Sequence, residues 1–129
     1  MINSDKSGVI FSRNPATNKD EIVIEAGFGL GEGIVSGAVA PDNYIVNKKT
    51  MKIEEKKINT KNILFKRDSS GKTIKAELEM NRRNQQAMGD DEIMNLARYV
   101  MRIERHYGVP QDIEFAFENR KLFILQSRP

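Results

Sequence analysis

Asp112-Ile113-Glu114-Phe115-Ala116-Phe117, followed after a short polar turn by Leu122-Phe123-Ile124-Leu125-Gln126-Ser127-Arg128-Pro129, decides how this chain is read. Both runs alternate with period two, the mark of two strands joined as a hairpin. In that reading Ile113, Phe115, Phe117, Phe123, Leu125 and Ser127 share one face. Asp112, Glu114, Ala116, Glu118, Leu122, Ile124, Gln126 and Arg128 share the other. A one-residue slip would send the apolar sets to opposite faces, so the register is constrained. The expected pairs are Phe117 with Phe123, Phe115 with Leu125 and Ile113 with Ser127, with residues 119–121 as loop. The same register sets Glu114 opposite Gln126 and Asp112 opposite Arg128.

Two carboxylates, an amide and a guanidinium then share one end of one face. Magnesium takes hard oxygen ligands and usually binds through one or two carboxylates plus substrate phosphates. The amide oxygen of Gln126 suits such a shell. A planar guanidinium such as that of Arg128 grips phosphate through two parallel hydrogen bonds. The competing reading is a solvated charged face with an Asp112–Arg128 cross-strand pair contributing a few tenths of a kcal/mol. Residue types and spacing leave both readings open.

Working upstream, the strongest helical pattern lies just before the hairpin. Ile93, Leu96, Ala97, Val100, Ile103, Glu104 and Tyr107 recur every three or four residues and form one face. Asp90, Asp91 and Glu92 suit the helix start, and Gly108 with Pro110 stops it. Before the helix, Gly8–Ser12, Glu21–Ala26, Asn43–Asn47, Lys52–Ile58, Ile63–Arg67 and Thr73–Leu78 read as strands. Asp68-Ser69-Ser70-Gly71-Lys72 is a hairpin turn, and the polar stretch 80–90 reads as connector. Strands in a run, then one helix and a last hairpin, predict an α+β fold with a mainly antiparallel sheet.

Composition narrows the class. A chain of 129 residues is one domain on the usual scale of roughly 100–200 residues per domain. No run approaches the ~18 apolar residues of a membrane span, and the first residues lack the apolar core of a signal peptide. A cytoplasmic protein is therefore expected, with no membrane partner. The absence of cysteine excludes disulfides and thiolate chemistry, and a single histidine excludes a multi-histidine metal site within the chain. His106 falls in the last helical turn, where a cation complements the dipole, and no nucleophile motif accompanies it.

The net charge of +3 is concentrated in Lys48, Lys49, Lys52, Lys56, Lys57, Lys61, Lys66 and Arg67. Such a run invites a nucleic-acid reading, but no aromatic residue interleaves it until Phe65, so a stacking platform is missing. A solvated, lysine-rich strand pair guarding a sheet edge is expected instead, with no nucleic-acid partner. The glycine-studded segment Gly27-Phe28-Gly29-Leu30-Gly31-Glu32-Gly33 fits no dinucleotide fingerprint, because Glu32 or Ile34 occupies the position of the last glycine. Ser70-Gly71-Lys72-Thr73 mimics the end of a P-loop, but Lys66 stands where that motif needs glycine. The segment 27–33 remains a flexible loop leading to a short helical turn, whose amides can approach an anion.

Ser7-Gly8-Val9-Ile10-Phe11-Ser12-Arg13-Asn14-Pro15-Ala16-Thr17, Ile24–Glu32 and Val39-Ala40-Pro41-Asp42-Asn43-Tyr44 together resemble the nucleotide-binding domain of the phosphoenolpyruvate synthase family. Pyruvate phosphate dikinase and rifampicin phosphotransferase share the pattern. Ile103–Ala116 and Leu125-Gln126-Ser127-Arg128-Pro129 resemble the same family's closing signature. The matching stretches are co-linear and cover about two-thirds of the chain, whereas residues 47–89 match nothing specific.

The resemblance implies one lobe of an ATP-grasp domain, with residues 1–129 as a single, partial domain. It implies that Glu114 and Gln126 serve Mg2+ and the phosphates of ATP, that Arg128 contacts phosphate, and that Asp112 is a further metal ligand or supports one. It also implies partners outside this segment: an N-terminal ATP-grasp lobe, a phosphohistidine domain and a barrel that binds pyruvate. His106 does not match the phosphohistidine motif. The isolated chain is accordingly expected to be inactive. Two other classes remain open: a non-catalytic binding module that keeps the fold, and a basic nucleic-acid binder.

Overall fold

A computed structural model describes residues 5–129. Six strands form one antiparallel sheet: β1 (Lys6–Phe11), β2 (Glu21–Phe28), β3 (Asp42–Asn47), β4 (Lys52–Lys57), β7 (Asp112–Glu118) and β8 (Lys121–Arg128). Their order is β4-β3-β2-β1-β7-β8. Strands β5 (Ile63–Arg67) and β6 (Thr73–Glu77) form a separate hairpin. The helices are α1 (Glu32–Val35) and α2 (Asp90–Tyr107). The α+β, mainly antiparallel expectation holds.

The amphipathic stripe of α2 supplies one wall of the core. Ile93, Leu96, Ala97 and Val100 are fully buried, against Ile10, Ile24, Tyr44, Ile113 and Phe115 from the sheet. Fully burying an Ile, Leu, Val or Phe side chain contributes about 1.5–3 kcal/mol before entropy is counted. The Glu92 carboxylate accepts the Gly89 N–H at 2.8 Å and the Lys6 Nζ at 2.6 Å, fixing the helix start to β1. Gly108 closes the helix with φ 74°, its N–H donating to the Glu104 carbonyl at 2.7 Å. Tyr107, assigned by periodicity to the apolar face, is exposed at the last residue of the helix. His106 is exposed and packs edge-on against the Tyr107 ring.

The connector 80–90 is less passive than its polarity suggested. Met80–Arg82 form one 3-10 turn, and Ala87 and Met88 enter the core. A buried carboxylate holds that entry. Asp42 Oδ1 accepts from Lys61 Nζ at 2.6 Å and Asn59 N–H at 3.0 Å. Its Oδ2 accepts from the Tyr44 hydroxyl at 2.9 Å and Ala87 N–H at 2.8 Å. Four donors thus surround one carboxylate, which is what burying a charge requires. Desolvation, with the Asp42 charge adding to it, pushes the Tyr44 hydroxyl well above its ordinary range.

The lysine-rich run is correspondingly not one solvated patch. Lys61 is fully buried on Asp42, Lys48 bridges Asp20 and Glu104, and Lys56 reaches Asp90. Nor do its two strands pair with each other: β4 takes the sheet edge beside β3, and β5 pairs with β6. The guarding of an edge by lysines is retained in β4, where Lys52, Lys56 and Lys57 are exposed.

The final hairpin departs from the expected pattern in its register and in its turn. Asp112 pairs with Arg128, Ile113 with Ser127 and Glu114 with Gln126, as the alternation requires. Beyond Glu114 the register shifts, and Phe115 meets Ile124, Ala116 meets Phe123 and Phe117 meets Leu122. Leu125 is the extra residue of a β-bulge. The turn also contains two residues rather than three: Asn119 and Arg120 have φ 50° and 68°, and Lys121 already pairs with Glu118. Positive φ at both positions is the tight turn whose twist matches paired strands. That turn fixes one register, the alternation at the open end fixes another, and the bulge reconciles them.

Candidate functional site

The sheet face opposite α2 carries the polar residues. Across it, Gln126, Glu114, Val9 and Glu25 lie in one row of paired positions, and Arg128, Asp112, Phe11 and Val23 in the next. Asp112, Glu114, Gln126 and Arg128 therefore share a face, and together with Glu25 they line a cleft of ≈ 230 Å³ floored by Val9 and Phe11. Glu114 and Glu25 flank Val9 from neighbouring strands, two strand spacings or about 10 Å apart. Glu25 was not legible as a cleft residue from its own strand. Only the placement of β7 beside β1, rather than at an edge, brings it near Glu114.

The end of the hairpin is locked in place from behind. Buried Ser12 accepts the Gln111 N–H on its hydroxyl oxygen at 2.7 Å, and its own N–H donates to the Gln111 carbonyl at 3.0 Å. The Gln111 side-chain oxygen accepts from the Ser127 hydroxyl at 2.9 Å. One chain of hydrogen bonds thus joins β1 and β8 through the residue before Asp112 and the residue before Arg128. Ser127 turns away from the cleft to make it, leaving its neighbours Gln126 and Arg128 facing in.

The cleft side chains themselves are uncommitted. Among the described residues, no side-chain hydrogen bond or ion pair engages Asp112, Glu114, Gln126, Arg128 or Glu25. The cross-strand Asp112–Arg128 ion pair, the basis of the purely structural reading, does not form although the two residues are directly opposed. Elsewhere charges do find partners, as at Lys6–Glu92 and Lys48–Glu104. No three carboxylate or imidazole groups converge as a closed metal cage among the described residues. The donor set, two carboxylates and an amide oxygen open to one cleft, instead suits a hard cation that keeps several ligands for a phosphate or water.

A larger cleft of ≈ 780 Å³ adjoins the first, with Glu114 and Val35 bordering both. Its lining includes the side chains of Leu30 and the bulged Leu125, with Gly31, Glu32 and Arg67. The bulge has a consequence here: Leu125 and Gln126 both oppose Glu114, so an apolar and a polar residue stand side by side on the same face. Gly29 anchors the far wall with φ 80°, a left-handed backbone that favours glycine. A Cβ there would lie 2.4 Å from the Phe65 carbonyl. The glycine segment is consequently an anchored loop in which, among the described residues, the amides of Gly31 and Glu32 take no protein acceptor. The amides of Gly29, Leu30 and Gly33 already donate to the carbonyls of Asp5, Phe65 and Leu30.

With the site's geometry in hand, similarity to known proteins settles the lineage. All of the chain, residues 1–129, matches the pyruvate phosphate dikinase AMP/ATP-binding domain family. The chain belongs to that family. It is 48% identical over 130 residues to a probable phosphoenolpyruvate synthase of Methanocaldococcus jannaschii, covering 100% of this chain and 11% of that protein. A probable phosphoenolpyruvate synthase of Archaeoglobus fulgidus is 47% identical, with 100% of this chain and 17% of the relative covered. The rifampicin phosphotransferase of Bacillus cereus is 38% identical, with 100% of this chain and 15% of the relative covered. This family member thus spans under a fifth of the length of these curated relatives. No helix among its described residues is long and apolar enough to cross a membrane.

Proposed function

We propose that this chain is the C-terminal lobe of an ATP-grasp domain, a single unit over residues 1–129. In this reading it binds Mg2+ and ATP for a phosphoenolpyruvate synthase-like phosphotransferase. The observation that carries the reading is the set of unpartnered groups lining one cleft, Asp112, Glu114, Gln126 and Arg128, beside a larger apolar cleft. Apolar walls suit a nucleoside, and hard oxygen donors with a guanidinium suit its phosphates. Membership in an AMP/ATP-binding family supports the same assignment.

In this proposal Glu114 and Gln126 hold the cation, with Asp112 as a third ligand or support, and Arg128 binds phosphate oxygens in a bidentate fork. Bound Mg2+ supplies charge neutralisation along the phosphate chain. Phosphoryl transfer depends mainly on positioning and electrostatic stabilisation. The Ser12–Gln111–Ser127 linkage serves the first by fixing the two strands that carry these groups. The phosphoryl group would pass to a histidine on another domain and then to pyruvate, with an opposing ATP lobe, the histidine domain and a pyruvate-binding barrel supplied by the rest of the parent enzyme. The relatives named as phosphoenolpyruvate synthases favour that acceptor over an antibiotic.

The test is calorimetric titration of the chain with MgATP, beside an assay of ATP consumption with magnesium and pyruvate. The proposal expects magnesium-dependent binding without turnover. Formation of AMP and phosphoenolpyruvate by the purified chain would contradict the partial-domain reading, and binding unaffected by chelation would contradict the cation site.

A further inference from the structure

Arg67, the last residue of β5, holds a polar group that no contact in the fold satisfies. Its Nε is buried without a hydrogen-bond partner, the one such side-chain nitrogen or oxygen among the described residues. Leaving a buried donor of a charged group unmet is costly, and each instance in a folded protein calls for an explanation. The residue lines the larger cleft together with Gly31, Glu32, Glu114 and Leu125. It forms no ion pair with either glutamate. Several other cations are occupied: Lys6, Lys48, Lys56 and Lys61 pair with carboxylates, and Arg82 stacks over Phe28 at 4.5 Å.

The placement of Arg67 is imposed rather than incidental. Phe65, two residues earlier, accepts the Leu30 N–H at 2.8 Å and forms a parallel bridge with Gly29. The β5–β6 hairpin is thereby tied to the loop that walls the cleft. Glu114 and Val35 border both clefts, so a ligand with phosphates beside Arg128 can extend past them into the larger cleft that Arg67 and Leu30 line.

We propose that Arg67 is a second anion-binding arginine of the nucleotide site, holding phosphate oxygens from the larger cleft while Arg128 holds them in the smaller one. This rests on the ATP reading above. A guanidinium presents paired N–H donors that match two phosphate oxygens, and engaging the covered Nε–H requires the side chain to turn toward the cleft.

The experiment is an NMR titration of the full chain with MgATP and, separately, with adenosine. It compares the unmodified protein with Arg67→Met, Arg67→Gln and Arg128→Met, each checked for folding by its amide spectrum. Both Arg67 variants are expected to weaken MgATP binding about tenfold or more, the scale of a charge-assisted hydrogen bond, and to leave adenosine binding within about twofold. Unchanged MgATP affinity in both Arg67 variants, with Arg128→Met weakened, would overturn the role of Arg67 and leave the ATP reading standing. Equal losses for MgATP and adenosine would overturn it too, marking a packing role. No nucleotide binding by the unmodified chain would overturn both.

Discussion

Glu114 and Gln126 oppose each other on the last regular rung of the β7–β8 ladder before Leu125 bulges out of it. Among the described residues their side chains have no partner, and they share the cleft with Arg128. In the proposed histidine-phosphorylating phosphotransferase, Glu114→Ala and Arg128→Ala should each slow ATP-dependent phosphoryl transfer by two or more orders of magnitude. Contacts to transferring phosphates in closed sites commonly contribute about 3–4 kcal/mol, and each 1.4 kcal/mol is tenfold in rate. Rapid-quench measurement should show partial rescue of Glu114→Ala by raised magnesium and none for Arg128→Ala, because only the first removes a proposed metal ligand. The edge-strand control Lys56→Ala should change the rate less than about twofold. Wild-type rates in both cleft variants would make the hairpin structural.

The Asp42–Lys61 pair belongs to stability. Both side chains are fully buried, and the carboxylate gathers four donors from three parts of the chain. Lys61→Met leaves that carboxylate without its counter-charge and should cost about 3–5 kcal/mol in urea unfolding at neutral pH. The double variant Asp42→Asn, Lys61→Met should cost less than the single one, since no uncompensated charge is then buried. A single-variant loss below about 1 kcal/mol would show that water reaches the pair.

Asp90 provides a pH-dependent check on the helix start. Its carboxyl is held below the usual range, first by the Gln86 side-chain hydrogen bond and then by Lys56. A depressed folded-state value contributes stability above the unfolded carboxylate range, and that contribution is lost as pH falls through the depressed value. Asp90→Asn should therefore lower Tm at neutral pH, and the gap from the unmodified chain should close on acidification. A gap that persists unchanged at the acid end would remove the carboxylate from the explanation.

Much of this arrangement was legible because periodicity is a geometric signal. The stripe Ile93, Leu96, Ala97, Val100 marked α2, and alternation from Asp112 to Glu114 and from Gln126 to Arg128 put the cleft residues on one face. The bulge was not legible, because Leu122, Phe123, Ile124 and Leu125 are apolar on both faces and suit either register. The two-residue turn was equally hidden, since Asn119-Arg120 lacks the glycine that usually marks positive φ. Lys61 defeated composition: surrounded by exposed lysines in sequence, it is buried only because Asp42 reaches it from β3. Glu25 and Arg67 became site candidates through long-range strand order and the docking of β5 on the glycine loop, which no local pattern encodes.

The central claim is that the cleft opposite α2 holds a divalent cation beside nucleotide phosphates, and paramagnetic broadening reads that position directly. Substoichiometric Mn2+ added with ATP to the isotopically labelled chain should first erase amide signals of residues 112–114 and 126–128, then those of Val9 and Glu25. Signals from Leu96 and Val100, across the sheet on α2, should outlast them. Earliest broadening at the acidic helix start, Asp90 to Glu92, with the 112–114 and 126–128 signals preserved, would contradict the account.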